Sequence, residues 1–429
     1  MAAPPPLPAG FAPPRDDGQP DETYVLETPC VSSLPPTTQI EHKPWGQDQL
    51  RFDELPAFAN GEGQKVAVID TGVTDHTYFG GRLEGGGDYV VRGGDGLEDC
   101  DGHGTMVAGI IAADPADEAI GFRGIAPSAR IVSIRQTSAN YKFTNPDRSK
   151  RGAGTLGTLA KAVIRAADTP DVTVMNMSVN NCRSASGGPI KQEERELQAA
   201  LRYAVEERDI VVVASAGNIG EGTCPNQNSP DPRNPTEIVF PPWFADYVLS
   251  VAAMTERGEA AEFSIQGPWV SVAAPGTAIT TLDPVNRTNL VNLTFDKQGK
   301  KAEIQGTSFA APYVAGLAAL VRDRFEGLDA QQVMDRIRAT AAHPAANGGH
   351  DNLVGYGMIN PMAALTAFIP EEEGLPRDES VASPFEMPPP YERDWGPERV
   401  AIIGAGGGVG LLLLVLFVVR TARRNRRPT

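Results

Sequence analysis

The chain has 429 residues and a formal charge of −16, long enough for one large α/β core with appendages. The acidic balance excludes nucleic acid as a partner, because phosphate recognition draws on clustered lysine and arginine. Four cysteines, Cys30, Cys100, Cys182 and Cys224, permit three pairings among which spacing does not choose, and none has the close C-x-x-C spacing of a zinc site.

Residues 1–44 form a proline-rich extension, broken and too short for a folded inhibitory domain. The first 20 residues have neither the basic start nor the apolar run of an export signal, so the expectation is a mature form whose signal peptide has been removed. Lys65 to Ile69 is an apolar β-branched run ending in Asp70-Thr71-Gly72, which predicts a buried parallel strand with a carboxylate at its ligand-facing end. Asp101-Gly102-His103-Gly104-Thr105 leads into a small-residue helix over 106–113, with His103 in its first turn as the candidate base. Gly152 to Thr155 reads as a Gly-rich turn before a helix. Ser138 to Arg151 and Thr281 to Lys301 read as polar insertions. A second buried strand, Ile210 to Ala214, ends in Ser215-Ala216-Gly217-Asn218. Gly306-Thr307-Ser308 then opens a buried helix of small residues. Ser308 is there either a helix N-cap or a nucleophile whose oxyanion would face the positive end of the helix dipole.

Beyond residue 368 the character changes. Residues 369–399 form an acidic, proline-rich stalk that is semi-rigid. Val400 to Val419 is an uncharged apolar run of 20 residues, long enough at 1.5 Å per residue to cross a hydrocarbon core of about 30 Å. Residues 420–429 carry Arg420, Arg423, Arg424, Arg426 and Arg427, which by the positive-inside tendency places this tail in the cytoplasm and the rest of the chain outside it. Gly404 with Gly408 and Gly406 with Gly410 have the spacing of a close helix contact, or of plain small-residue filler.

Asp70, His103 and Ser308, each at an element end beside glycine and in the order Asp, His, Ser, match one known arrangement of the catalytic triad. Asp70-Thr71-Gly72 is also the signature of aspartic peptidases, but that mechanism needs two carboxylates sharing a proton. No second Asp-Thr-Gly or Asp-Ser-Gly occurs, and His103 and Ser308 would be left without a role.

The segments around Asp70, His103, Asn218 and Ser308 resemble the signature segments of the subtilisin-like serine peptidases, over roughly residues 45–368. The resemblance implies an α/β, three-layer fold with a twisted, mostly parallel sheet, and a serine endopeptidase acting through Asp70, His103 and Ser308, with Asn218 as oxyanion donor. It further implies a substrate strand edge at Ser178, Val179 and Asn180, faced by Ala216 and Gly217. The family commonly has glycine at Asn180, methionine at Phe309 and a second histidine at Met106, so a side chain at Asn180 narrows a pocket that glycine would leave open. In that fold Cys182 follows the substrate strand and Cys224 the oxyanion loop, which implies the pairs Cys182–Cys224 and Cys30–Cys100.

The tethered arm, peptidase domain, stalk and single terminal helix together resemble the mycosins, membrane-anchored peptidases of actinobacterial type VII secretion systems. This implies a protein or peptide substrate that is itself secreted, membrane-complex subunits as partners, and a single-pass protein of the cell membrane with its peptidase domain on the periplasmic side. A structural scaffold of the secretion complex with secondary peptidase activity is the alternative. Subtilases often bind calcium, but no ligand set is legible, and His42, His76, His343 and His350 lack a repeated metal spacing, so neither metal nor cofactor is expected. Asn286 and Asn292 fit glycosylation sequons.

Overall fold

A computed structural model describes residues 3–35, 42–117, 119–295, 299–375 and 396–424. The chain divides into two units, Met1–Leu375 and Pro376–Thr429.

Seven strands of the first unit form one parallel sheet: β1 (Lys65–Asp70), β2 (Leu83–Asp88), β3 (Arg130–Arg135), β4 (Val172–Met177), β5 (Val211–Ser215), β6 (Leu249–Met254) and β7 (Val272–Pro275). Their order is β7-β6-β5-β4-β1-β3-β2, every neighbouring pair running parallel. The expected strand over 65–69 is β1, and it occupies the interior of the sheet. Strands β4 to β7 are almost wholly buried, as runs rich in Val, Ala and Met must be when helices cover both faces.

Two pairs of helices supply that cover. His103–Ala112 (α1) packs against Thr307–Arg324, and Leu156–Asp168 (α2) packs against Gln192–Arg202 (α3). The helix Thr307–Arg324 (α4) also lies on β1 and β4 to β7. It is apolar around its whole circumference and buried from Thr307 to Arg322, as befits a helix at the centre of a core. The chain order reverses around β1: β3 and β2 lie on one side of it, β4 to β7 on the other. In open parallel sheets such a switch point leaves a crevice outside the carboxyl ends of the strands, where ligands bind.

The proline-rich extension is not a separate appendage. Its Val25–Leu26 pairs antiparallel with Ser138–Thr144, which pairs in turn with Lys150–Ala153. The expected polar insertion over 138–151 is therefore a β-hairpin that the arm extends by a strand. Asp16 bonds Tyr89 and pairs with Arg165, Asp17 pairs with Lys161, and Cys30 is disulfide-bonded to Cys100. Gly152 and Ala153 belong to the hairpin, while Thr155 caps α2 through a reciprocal capping box with Thr158, so this stretch is both a strand and a helix start. The second insertion holds two small antiparallel pairs, Thr281–Leu282 with Leu290–Val291 and Leu293–Phe295 with Lys301–Glu303. Buried His76 is a fixture of it: Nε2 meets Asn289 O at 3.0 Å, and Nδ1 accepts from Tyr78 N.

In the second unit, Gly396–Arg424 is one helix (α5), and its 27 residues from Glu398 to Arg424 are long and apolar enough to cross a membrane. The helix therefore runs beyond the apolar stretch Val400–Val419 at both ends, into Glu398 and Arg399 on one side and Arg420, Arg423 and Arg424 on the other. Residues 376–395, with most of the stalk and Trp395, and residues 425–429, with Arg426 and Arg427, lie outside the described residues.

Candidate active site

Asp70 ends β1 and is fully buried. Its Oδ1 accepts from the Thr71 amide at 2.8 Å and from His103 Nδ1 at 2.7 Å, so the pair fixes the imidazole tautomer with its other nitrogen free for proton transfer. His103 is the first residue of α1. Its approach to Asp70 is possible because Gly104 has no side chain, since a Cβ there would lie 2.1 Å from Gly72 O.

A second carboxylate holds this arrangement. Asp99 Oδ1 accepts from Thr71 Oγ1 and the Gly102 amide, and Oδ2 from the Thr105 amide and hydroxyl, at 2.6 to 2.8 Å. Thr71 Oγ1 in turn accepts from the Gly104 amide at 2.9 Å. One buried acid thereby ties the Asp70 loop to the first turn of α1. Burial pushes the Asp99 carboxyl above its ordinary range, against the opposing bonds from Thr105 and Thr71. Burial pulls His103 down, but the charge and hydrogen bond of Asp70, with the charges of Asp99 and Glu221, outweigh it and hold the imidazole up at about 9. The Phe309 ring lies against His103, with centroids 5.2 Å apart.

Ser308 is the second residue of α4, and Gly306 rather than Ser308 is the N-cap. The capping alternative is thereby removed, and the Ser308 amide falls among the first N–H groups of a helix, which have no intrahelical partner. Pro312 cannot donate to the Ser308 carbonyl four residues earlier. That carbonyl instead accepts from Ser178 Oγ at 2.8 Å, and Ser178 Oγ accepts from Asn176 Nδ2 at 3.0 Å. The end of β4 therefore positions the start of α4.

Asn218 follows β5. Its Oδ1 accepts from the Thr307 amide at 3.0 Å and from Thr307 Oγ1 at 2.9 Å, which fixes which way the amide faces. A Cβ built on Gly306 would lie 3.1 Å from Ser308 Oγ and 3.3 Å from Asn218 Nδ2, so the serine hydroxyl and the side-chain amide flank the same point. His103, Ser178, Asn180, Asn218, Glu221 and Ser308 line one cavity of about 160 Å³.

The expected pocket residues are distributed around this cavity. Val179 lines a neighbouring space of about 60 Å³ with Gly154, Leu156 and Asn180. Ala216 is fully buried, and a Cβ at Gly217 would touch Asn180 Cγ at 3.7 Å. Asn180 Nδ2 donates to Ser215 O at 2.6 Å and its Oδ1 accepts from Ser215 Oγ at 2.7 Å, so the side chain ties one wall to the other. Both implied disulfides are present, Cys30–Cys100 and Cys182–Cys224. Among the described residues no group of three or more His, Cys, Asp or Glu could hold a metal ion.

Sequence reasoning passed over Asp99 and Glu221. A carboxylate four residues ahead of a helix-opening histidine is a signal that could have found Asp99. Glu221 carries no such signal, since it sits in a glycine-rich turn whose path the sequence does not dictate.

The sequence profile of the subtilase family, Peptidase S8, matches residues 61–357. Mycosin-1 of Mycolicibacterium smegmatis is 38% identical, over 99% of this chain and 94% of the relative. The crystal structure of MycP1 from Mycobacterium smegmatis superposes with a TM-score of 0.79 at 39% identity, covering 86% of this chain and 97% of that one. A chain in the structure of the periplasmic assembly from the ESX-5 inner membrane complex matches with a TM-score of 0.79 at 37% identity, covering 91% of this chain and all of that one. With its parallel sheet, its buried acid–histidine pair and a serine at the opening of the central helix, the chain belongs to the subtilase family, as a mycosin-type serine endopeptidase.

Proposed function

We propose that Asp70, His103 and Ser308 are the triad of this endopeptidase, a reading carried by the 2.7 Å bond between Asp70 and His103 beside a cavity shared with Ser308 and Asn218. Ser308 Oγ attacks the peptide carbonyl while His103 takes its proton, and Asp70 stabilises the imidazolium that forms. The oxyanion receives hydrogen bonds from Asn218 Nδ2 and the Ser308 amide, at the positive end of the α4 dipole. His103 then protonates the leaving amine, and water, deprotonated by His103, releases the acyl group.

The strand edge at Ser178, Val179 and Asn180 pairs with the substrate backbone, opposite Ala216 and Gly217. Because Asn180 is tied across to Ser215, the pocket for the side chain before the scissile bond accepts small residues and refuses large ones. An Asn180→Gly variant restores the open slot and shifts cleavage toward larger side chains. Profiling wild type and Ser308→Ala against a peptide library tests the whole reading: Ser308→Ala should neither cleave nor label with a serine reagent, and residual cleavage by Ser308→Ala would sink it.

We further propose that α5 is a single membrane anchor. The five arginines of the tail place it in the cytoplasm and the 1–375 unit on the periplasmic side. The related chain in the ESX-5 periplasmic assembly supports secretion-complex subunits as partners, and we propose that the substrate is a protein secreted through such a complex. The same likeness favours a second reading, a structural role in a type VII complex. Secretion by a Ser308→Ala strain would separate that role from catalysis. Membrane-bound protein after deletion of residues 400–429 would contradict the anchor.

A further inference from the structure

Glu221 stands three residues beyond Asn218 and lines the same cavity as His103 and Ser308. Its Oε2 accepts a hydrogen bond from Asn218 Nδ2 at 2.8 Å. The amide cannot turn away from it, since Asn218 Oδ1 is held by both the amide and the hydroxyl of Thr307. The nitrogen that Glu221 engages is the one that flanks, with Ser308 Oγ, the space in front of Gly306. A negative oxygen of the chain's own is thus bonded to the donor that would stabilise a negative oxygen of the substrate.

The backbone around Glu221 is anchored at several points, while its side chain bonds the Asn218 amide and otherwise meets the charge of His103. The Gly220 amide donates to Cys224 O at 2.8 Å, the Cys224 amide donates to Glu221 O at 2.9 Å, and Cys224 is disulfide-bonded to Cys182 beside β4. Glu221 itself is exposed, and no lysine or arginine lines the cavity. The carboxylate is therefore delivered to the amide by its turn yet free to swing into water.

We infer that Glu221 is a latch on the oxyanion donor: in the substrate-free enzyme its carboxylate holds the Asn218 amide through one of its two N–H groups, and a substrate carbonyl must draw that amide away from it before acylation. The latch rests on the oxyanion role proposed for Asn218. It makes the resting site weaker than the bare geometry implies, and it penalises ligands that fail to bring an oxygen to Asn218.

The test is the second-order rate of Ser308 labelling by a fluorophosphonate, whose phosphoryl oxygen takes the oxyanion position, measured on the full-length protein in detergent. Asn218→Ala alone should label far more slowly, and an unchanged rate would remove the oxyanion reading whatever Glu221 does. Given that loss, Glu221→Ala should label about five- to tenfold faster than wild type, the scale of releasing one charge-assisted hydrogen bond near solvent. Glu221→Gln should fall between, because a neutral amide oxygen is the weaker acceptor. In the Asn218→Ala background the gain from Glu221→Ala should shrink below about twofold, since there is no donor left to release. Unchanged or slower labelling by Glu221→Ala, or the same gain with and without Asn218, overturns the latch.

Discussion

The two walls of the catalytic cavity are built on different terms. On the His103 wall two buried acids join the strand to the helix: Asp70 is fully buried, and Asp99 gathers four hydrogen bonds that join the β1 exit to the first turn of α1. On the Asn218 wall the amide is pinned by one residue, Thr307, and the chain beyond it is an exposed turn over residues 220–223 that ends at a disulfide. The wall proposed to move a proton is built on buried groups, while the wall proposed to receive charge is held at two points with an exposed acid between them. Proton transfer demands a fixed tautomer, whereas an oxyanion site has only to be complete once the carbonyl arrives.

The largest expected effect lies on the rigid wall. Asp70→Asn would present an amide N–H where His103 Nδ1 donates, and the imidazole would take the wrong tautomer. A loss of about 10⁴-fold in kcat is expected, with little change in KM. A loss under tenfold would mean that the buried acid is structural. Next comes Asn218→Ala, which removes the proposed transition-state donor and should lower kcat by about 10²- to 10³-fold. If the two substitutions cost the same, the contrast between the walls disappears.

Asp99→Asn probes the support behind His103. One amide cannot accept the four hydrogen bonds that the carboxylate accepts, so a stability loss of about 1–3 kcal/mol is expected. The substitution also removes one of the negative charges that hold His103 up. In wild type kcat/KM should rise with pH through the His103 midpoint at about 9, because only the neutral imidazole can take the serine proton. Stability runs the other way. A histidine held above its unfolded value of about 6.5 stabilises the fold below that pH, and the contribution fades as pH rises through the folded midpoint. Asp99→Asn should shift both curves toward lower pH. A pH–rate profile that does not move would assign Asp99 a purely structural role.

The element ends that carry both walls were legible. Apolar runs that stop at Asp70 and Ser215, and small-residue helices that open at His103 and Ser308, carry their own periodicity and breakers, so sheet position and residue order followed from the sequence. The roles implied for Asn218 and for the cysteine pairs needed the family likeness. The arm's strand at Val25–Leu26 was not legible, because two residues carry no period and are set by pairing with residues 141–142. The bond from Asn180 to Ser215 and the bond from Glu221 to Asn218 were equally hidden, since each depends on where two loops meet.

The smallest effect separates the two points that hold the Asn218 wall. Cys30–Cys100 lies beside the His103 wall, where Asp99 already fixes the geometry, while Cys182–Cys224 anchors the turn that carries Glu221. Each bridge closes a long loop, with sequence separations of 70 and 42, so removing either should cost stability on the order of 4 kcal/mol in the chain-entropy account. Activity should tell them apart. Cys30→Ala/Cys100→Ala should leave the fluorophosphonate labelling rate of the still-folded protein unchanged. Cys182→Ala/Cys224→Ala frees the Glu221 turn but not Asn218, which Thr307 still holds, so labelling should accelerate by about two- to fivefold. Slower labelling in the second variant would mean that the bridge positions the amide rather than the acid, and that the Asn218 wall is as rigid as its neighbour.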